Sequence, residues 1–482
     1  MNSDAPGVMA KGRGVVWSVK LGQETMVFSI HNISPHKYPG DRQSFSKSLL
    51  NKLMVVGMGL ALASFAVAPA FSQTLSEKIV AMEKAREREF AGYFGQSFGE
   101  VTQTPEEIAQ TLQKIGQETG TKPAVLWIIP EKDFLHLVLV TPDLAPIVVD
   151  LYDVPEAVLR PVVAAFQQEL KFSQTVTRRT AAQQLYQWII APYAETLQAQ
   201  GIDTLLFCLG NGVRGLPMAA LFDGQEFLLE KYSLTNIPAF NLINSDYKPL
   251  QPGNILAMGA SEFANQSPLP AVPLELDNVI WAMAINRPTE DRWQGDTFLN
   301  QDFTIDRLQT ELAEKRPSIV HLATHSYFRS GKPANSYIEF WDDRLKLDKV
   351  SKINWRSPAL ELLVLSACQT ALGDDEAELG FAGLALKAGV KSVVASFWNV
   401  DDGATLVLMS EFYRQLGQTP TKAEALRQAQ LKMLRGELVA DLEQSGLSRG
   451  AIAVPPSLVN LGQADFSAPY YWASFTMLSS PW

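Results

Sequence analysis

Two stretches, Ser318-Ile-Val-His-Leu-Ala-Thr-His325 and Glu361-Leu-Leu-Val-Leu-Ser-Ala-Cys368-Gln-Thr370, each run an apolar strand up to a chemically potent side chain. In a parallel α/β sheet, ligands and chemistry collect at the carboxyl ends of the strands. The segment from His325 to Cys368 is long enough for one crossover, so the two strands can lie in the same sheet with their ends adjacent. A histidine and a cysteine meeting there make a base and a thiolate nucleophile.

The flanking residues sharpen this reading. His321-Leu-Ala-Thr-His325, Leu363-Val-Leu-Ser-Ala-Cys368-Gln-Thr-Ala-Leu-Gly373, Ser392-Val-Val-Ala-Ser-Phe-Trp-Asn-Val-Asp-Asp402 and Pro469-Tyr-Tyr-Trp-Ala-Ser-Phe-Thr-Met-Leu478 follow one another along the chain. In this order they resemble the signature blocks of the CHAT domain family, caspase-like proteins of the same clan as separases and metacaspases. The His-to-Cys separation is also similar to the caspase pattern, in which the His lies about 50 residues upstream of the Cys. The resemblance extends from about Pro123 to Trp482.

What the resemblance implies is a cysteine endopeptidase acting on a protein or peptide substrate. Cys368 attacks the carbonyl, His325 protonates the leaving amine, and the backbone N–H groups of Cys368 and Ser326 face the oxyanion. Family members usually carry Gly after the His, so Ser326 is a departure that puts activity in question. A catalytically silent CHAT scaffold or interaction protein is the alternative. Acidic residues follow both late strands, at Asp374 and Asp375 and again at Asp401 and Asp402. A carboxylate there would select Lys or Arg before the cut, whereas the plain reading gives a solvated loop and, for Asp401, a helix cap. His321, four residues before His325, shares its face in a regular strand and reads as a packed or supporting residue.

Composition sets the outer limits. Of 482 residues, 46% are hydrophobic and 19% charged, which describes a chain able to bury a sizeable core. A net charge of −10 without a basic cluster argues against nucleic acid as a partner. Two cysteines make no disulfide framework, and no spacing for zinc is present, so neither metal nor cofactor is expected. Cys208, inside the apolar run Leu205 to Leu209, reads as a small buried hydrophobe.

The amino end reads as a targeting segment. Lys47 and Lys52 precede an uncharged run over 53–71 that ends Ala66-Val-Ala-Pro-Ala70, the three parts of a secretory signal. This predicts cleavage after Ala70 and export to a periplasm or beyond, or else an uncleaved anchor that associates the chain with a membrane through 53–71. A regulatory protein partner or proteolytic processing would then keep an exported thiol in check.

The order of periodic segments divides the chain at 1–70 (extension and signal), 71–120 (short helical region), 121–250 (a smaller α/β part with a hairpin and helices) and 251–482 (the caspase-like part). No repeat of about 34 residues, such as tetratricopeptide arrays show, precedes the α/β region. In the second half strands alternate with helices, which predicts a mostly parallel sheet flanked by helices. Helices are expected over 104–116, 155–171 and 180–200, and a strand over 204–209 leads into Gly210-Asn-Gly212-Val-Arg-Gly215. That hexapeptide is a formal dinucleotide fingerprint, with Glu230 expected to end the next strand, but the crossover behind it is too short for the usual packing helix. Against CHAT proteins it aligns with a loop before Leu216-Pro217 and Ala220-Leu221, which implies a structural role.

Overall fold

The computed structural model describes two early strands and residues 74–172, 179–284, 293–355, 360–370, 372–399, 401–438 and 464–482. The proposed signal segment 53–71 and its cleavage point lie outside these residues. The chain forms two compact units, residues 1–72 and 73–482. In the first, β1 (Val16–Leu21) pairs antiparallel with β2 (Glu24–Ser29). Among the described residues, no helix is long and apolar enough to cross a membrane.

The second unit opens with two helices, α1 (Leu75–Phe94) and α2 (Pro105–Thr119). Both begin at a capping box: Thr104 Oγ1 accepts from Glu107 N–H at 3.3 Å, and Glu107 returns the favour to Thr104 N–H at 2.8 Å. The pair is docked on the sheet through a buried carboxylate. Glu83 of α1 accepts from the Trp127 indole at 2.7 Å, from Phe240 N–H at 3.1 Å, and from the amide and side chain of Asn241 at 2.9 and 3.0 Å.

Next come β3 (Pro123–Pro130), β4 (Leu135–Val140) and β5 (Ile147–Leu151), an antiparallel meander. They are followed by α3 (Glu156–Phe172), α4 (Thr180–Ile189) and α5 (Ala194–Ala199). The single helix expected over 180–200 is thus two, with a 3₁₀ turn at Ala191–Tyr193 between them. Pro192 removes an amide and clashes with the preceding turn, which ends α4. After β6 (Thr204–Leu209) a short α6 (Leu228–Lys231) precedes β7 (Ser233–Ile237). Glu230 therefore sits in a helical turn, not at a strand end as expected.

The later strands are β8 (Asn254–Gly259), β9 (Gln294–Leu299), β10 (Ile319–Phe328), β11 (Tyr337–Glu339), β12 (Arg344–Lys346), β13 (Leu362–Thr370), β14 (Ser392–Ser396) and β15 (Phe475–Ser479). Helices α7 (Val272–Ala284) and α8 (Ile305–Lys315) connect β8 to β9 and β9 to β10, and α9 (Asp375–Ala382) and α10 (Leu384–Ala388) connect β13 to β14. Beyond β14 lie α11 (Asp402–Leu416), α12 (Lys422–Leu434) and the turn α13 (Pro469–Trp472).

All strands from β3 onward join one sheet. Strands β9, β8, β10, β13 and β14 run parallel in that spatial order, and β15 closes the row antiparallel. β15 then meets β7 at Leu478↔Asn236, so the sheet continues without a break through β7, β6 and β3 to β4 and β5. The segments 121–250 and 251–482 share this sheet and one apolar core. The expected α/β class, a mostly parallel sheet flanked by helices, is what the chain adopts. β9 escapes sequence reading because it lies at the margin of the sheet and none of its residues is fully buried, so it carries no apolar alternation.

Candidate active site

Among the described strands, β10 is the one that changes partners along an edge. On one side it pairs with β13, and on the other with β8 over Ile319 to Ala323 and then with β11 over Ser326 and Tyr327. Thr324 and His325 fall at the changeover. From β8 the next parallel strand, β9, lies outward, whereas from β10 the next parallel strand, β13, lies on the opposite side, which makes the β8/β10 boundary the switch point where open α/β sheets form a crevice.

The loop 260–271 departs from β8 at this boundary. Gly259 is required there, since a Cβ would come within 2.4 Å of Ala323 O. The Ser267 carbonyl of this loop accepts from His325 Nε2 at 2.9 Å, and the Phe263 ring lies 4.6 Å from the imidazole. A carbonyl can only accept, so Nε2 carries the hydrogen and Nδ1 is the nitrogen left for proton exchange. Burial pushes the His325 pKa below its ordinary 6.5, against the smaller opposing pull of the Ser267 carbonyl and Glu339. Burial thereby favours the neutral imidazole.

Cys368 lies on β13, next to β10. The register sets His325 beside Ala367 and Ser326 beside Cys368, so the backbones of the two expected residues are diagonal neighbours on adjacent parallel strands. The Cys368 side chain lies outside the described residues. Neither residue ends its strand, contrary to expectation: β10 continues to Phe328 and β13 to Thr370. The extension is held by the β11 pairing and by Phe328, which is buried edge-on against Phe381 at 5.3 Å. Ser326 is buried, its backbone paired with Ile338 on one side and Cys368 on the other.

A one-residue bulge in β10 between Leu322 and His325 interrupts the alternation that would put His321 and His325 on one face. His321 Nδ1 lies 3.1 Å from the Tyr413 hydroxyl of α11, and its Nε2 lies 3.1 Å from Glu275 of α7, an approach without hydrogen-bond alignment. All three side chains are buried. Glu275 shares a mostly apolar helix face with Asn278 and carries no motif of its own, and Ser267 has no signal at all, because a backbone acceptor has no residue signature.

The four acidic candidates part company. Asp374 caps α9 by accepting from Ala377 N–H at 2.9 Å, and Asp375 meets Arg160 of α3 at 3.2 Å. Asp401 caps α11 through Ala404 N–H at 2.9 Å. Asp402 instead reaches the loop 260–271, accepting from Ala271 N–H at 2.5 Å. Burial pushes its pKa from 3.8 up to about 7, opposed by the Ala271 bond and assisted by the nearby charges of Glu275 and Asp401.

In the Gly210-to-Gly215 stretch Asn211 is exposed, whereas Val213, Arg214 and Gly215 are buried against protein. Glu378 of α9 is buried and accepts from Gly215 N–H at 2.9 Å, Gly373 N–H at 2.8 Å and the Gln167 amide at 3.3 Å. A Cβ on Gly215 would lie 2.1 Å from that carboxylate, which accounts for the third glycine of the motif without a cofactor. The 3₁₀ turn Met218–Ala220 stands where a dinucleotide fold places its helix. Cys208 is buried, with Sγ 3.3 Å from Pro238 O, and burial drives its thiol pKa far up.

An α/β sheet with a buried, carbonyl-held histidine at the switch point and a cysteine on the neighbouring strand defines the class of site. The family model for the CHAT domain matches residues 179–480, and the chain belongs to that family. The match begins at α4, later than the resemblance read from the sequence. No curated protein matches the chain in sequence. Among solved structures, Saccharomyces cerevisiae separase in complex with securin is similar at 10% identity and a TM-score of 0.48, over 85% of this chain and 34% of that one. Porphyromonas gingivalis RgpB, in a complex of its pro- and mature domains, is similar at 11% identity and a TM-score of 0.37, over 74% of this chain and 78% of that one. The chain thus spans about a third of the separase it matches.

Proposed function

We propose that this chain is a cysteine endopeptidase that cleaves with Cys368 and His325. The observation that carries the reading is the placement of His325: a neutral imidazole at the switch point, its Nε2 tied to the Ser267 carbonyl, beside the strand that bears the cysteine. Nδ1 takes the thiol proton as the sulfur attacks the substrate carbonyl, and the imidazolium returns that proton to the leaving nitrogen. Water then releases the acyl group from sulfur. The amides of Cys368 and Ser326 are the proposed oxyanion donors.

The test is a panel of peptidyl electrophiles with Arg, Lys, Asp or Leu at the reactive position, applied to the chain from Phe71 onward and read by intact mass and adduct mapping. A single adduct on Cys368, lost on prior protonation of His325 at low pH, supports the enzyme. A folded protein that forms no adduct with any of them sinks this reading and leaves a CHAT scaffold, for which Ser326 in place of glycine is the favouring observation.

Asp402 is the proposed selector of a cationic side chain before the cut, since among the four carboxylates it alone is held to the loop that carries Ser267. Ionisation is required for that role, so preference for Arg over a neutral residue is expected to rise as pH climbs through about 7. Asp402→Asn keeps an oxygen for Ala271 N–H and is expected to lose the preference about tenfold or more. The same variant reports on stability. A carboxyl whose folded pKa is raised favours the fold most below pH 4 and loses that contribution as pH rises through about 7. Asp402→Asn should therefore raise the melting temperature at pH 8 by the equivalent of about 2 kcal/mol and leave it unchanged near pH 4. Equal melting shifts at both pH values would show that the carboxyl is not held protonated.

A further inference from the structure

On the side of His325 away from Cys368, a groove of about 720 Å³ opens between the loop 262–266 and the strands β10, β11 and β12. It is continuous with the site: Phe263 lines it and packs on the His325 ring, and Tyr327, whose ring lies 6.3 Å from that imidazole, lines it from β10. Its wall is an aromatic and guanidinium stack. Tyr327 and Tyr337 lie 5.1 Å apart, Arg329 sits over both at 5.1 and 5.4 Å, and Arg344 covers Tyr337 at 4.6 Å.

The two arginines differ in one respect. Arg344 is neutralised by Glu339 at 2.9 Å. Arg329 donates to the Tyr337 hydroxyl at 3.3 Å, is exposed, and pairs with no carboxylate of the described residues. Glu262, the other acid on the lining, is exposed on the opposite loop and forms no ion pair with either arginine. An exposed cation lying on an aromatic platform complements a carboxylate whose methylene stem can lie on the rings.

Strand order decides which part of a substrate comes here. The row runs from the groove through His325 on β10 to Cys368 on β13 and then β14. The proton donor must adjoin the leaving nitrogen, so the chain downstream of the cut passes on the His325 side. At about 3.3 Å per extended residue, the second and third residues after the cut reach past the imidazole into the groove.

We propose that this groove binds the leaving segment of the substrate and selects an acidic side chain, Asp or Glu, at the second or third position after the cut, through Arg329. The proposal rests on the peptidase reading, and its test separates the two. Fluorogenic peptides that differ only at those positions, with Glu, Gln, Lys or Phe, are compared within each protein variant as ratios of kcat/KM. Glu over Gln is expected to be favoured about three- to tenfold at low salt and less at high salt. In Arg329→Ala the ratio falls to about one, and in Arg329→Glu it inverts in favour of Lys. Ratios unaffected by either substitution, or Phe preferred over Glu, would overturn the assignment. If no peptide is cut at all, the peptidase reading has failed, and fluorescence anisotropy of the same peptides on Cys368→Ala protein decides the groove separately. There, tighter binding of the Glu peptide that Arg329→Glu reverses sustains it, and equal binding of Glu and Gln peptides removes it.

Discussion

Replacing His325 with alanine is expected to cut kcat/KM for peptide cleavage by about 10³-fold or more, in line with the loss of a general acid and base. The protein should remain folded, because the change removes one hydrogen bond to the Ser267 carbonyl and the ring contacts with Phe263 and Tyr327, a loss of about 1–3 kcal/mol. Steady-state kinetics on the peptide chosen by electrophile labelling, with a thermal melt on the same sample, checks both halves. Retention of activity within tenfold would remove His325 from the mechanism. The pH profile adds a signed check. His325 works as a base only when neutral, and burial holds its pKa below 6.5, so activity should persist at pH 6.5 and fall only on further acidification. An acid limb centred above pH 7 would contradict that environment.

The second large effect concerns the helical region ahead of the sheet. Glu83→Ala should destabilise the protein by about 3–5 kcal/mol, because it strips the acceptor from the Trp127 indole, two backbone amides and the Asn241 side chain, all at the seam between α1 and the sheet. Glu83→Gln keeps an acceptor oxygen and should cost less. Chemical denaturation at constant slope reads the difference. A loss under 1 kcal/mol from the alanine variant would mean that α1 is peripheral and not an integral part of the α/β unit.

A connection follows between the amino-terminal half and the candidate site. Glu378 takes Gly215 from the loop after β6 and Gly373 from the loop after β13 on one carboxylate, and Asp375, less than one turn before it on α9, meets Arg160. The loop that follows Cys368 is thereby fixed by residues more than a hundred positions upstream. This is the physical reason that the glycine-rich hexapeptide is needed here: its third glycine makes room for an acid, and its amide satisfies it.

Sequence by itself determined the α/β class, the CHAT family and the two residues proposed to do chemistry. Those conclusions rest on local signals: apolar runs of strand length, capping boxes such as Thr104 with Glu107, and potent side chains placed where such runs meet polar sequence. Periodicity and capping act over a few residues, so they survive in the linear text. Tertiary structure alone decided how His325 is held, because its partner is a backbone carbonyl on another loop. It alone separated Asp402, half-buried and bonded to Ala271 N–H, from Asp374 and Asp401, which cap helices and look the same in sequence. The bulge in β10, the edge switch from β8 to β11 and the groove beyond His325 also come from pairing between distant segments. Register and burial are set by what packs across the sheet, and no single stretch of residues records them.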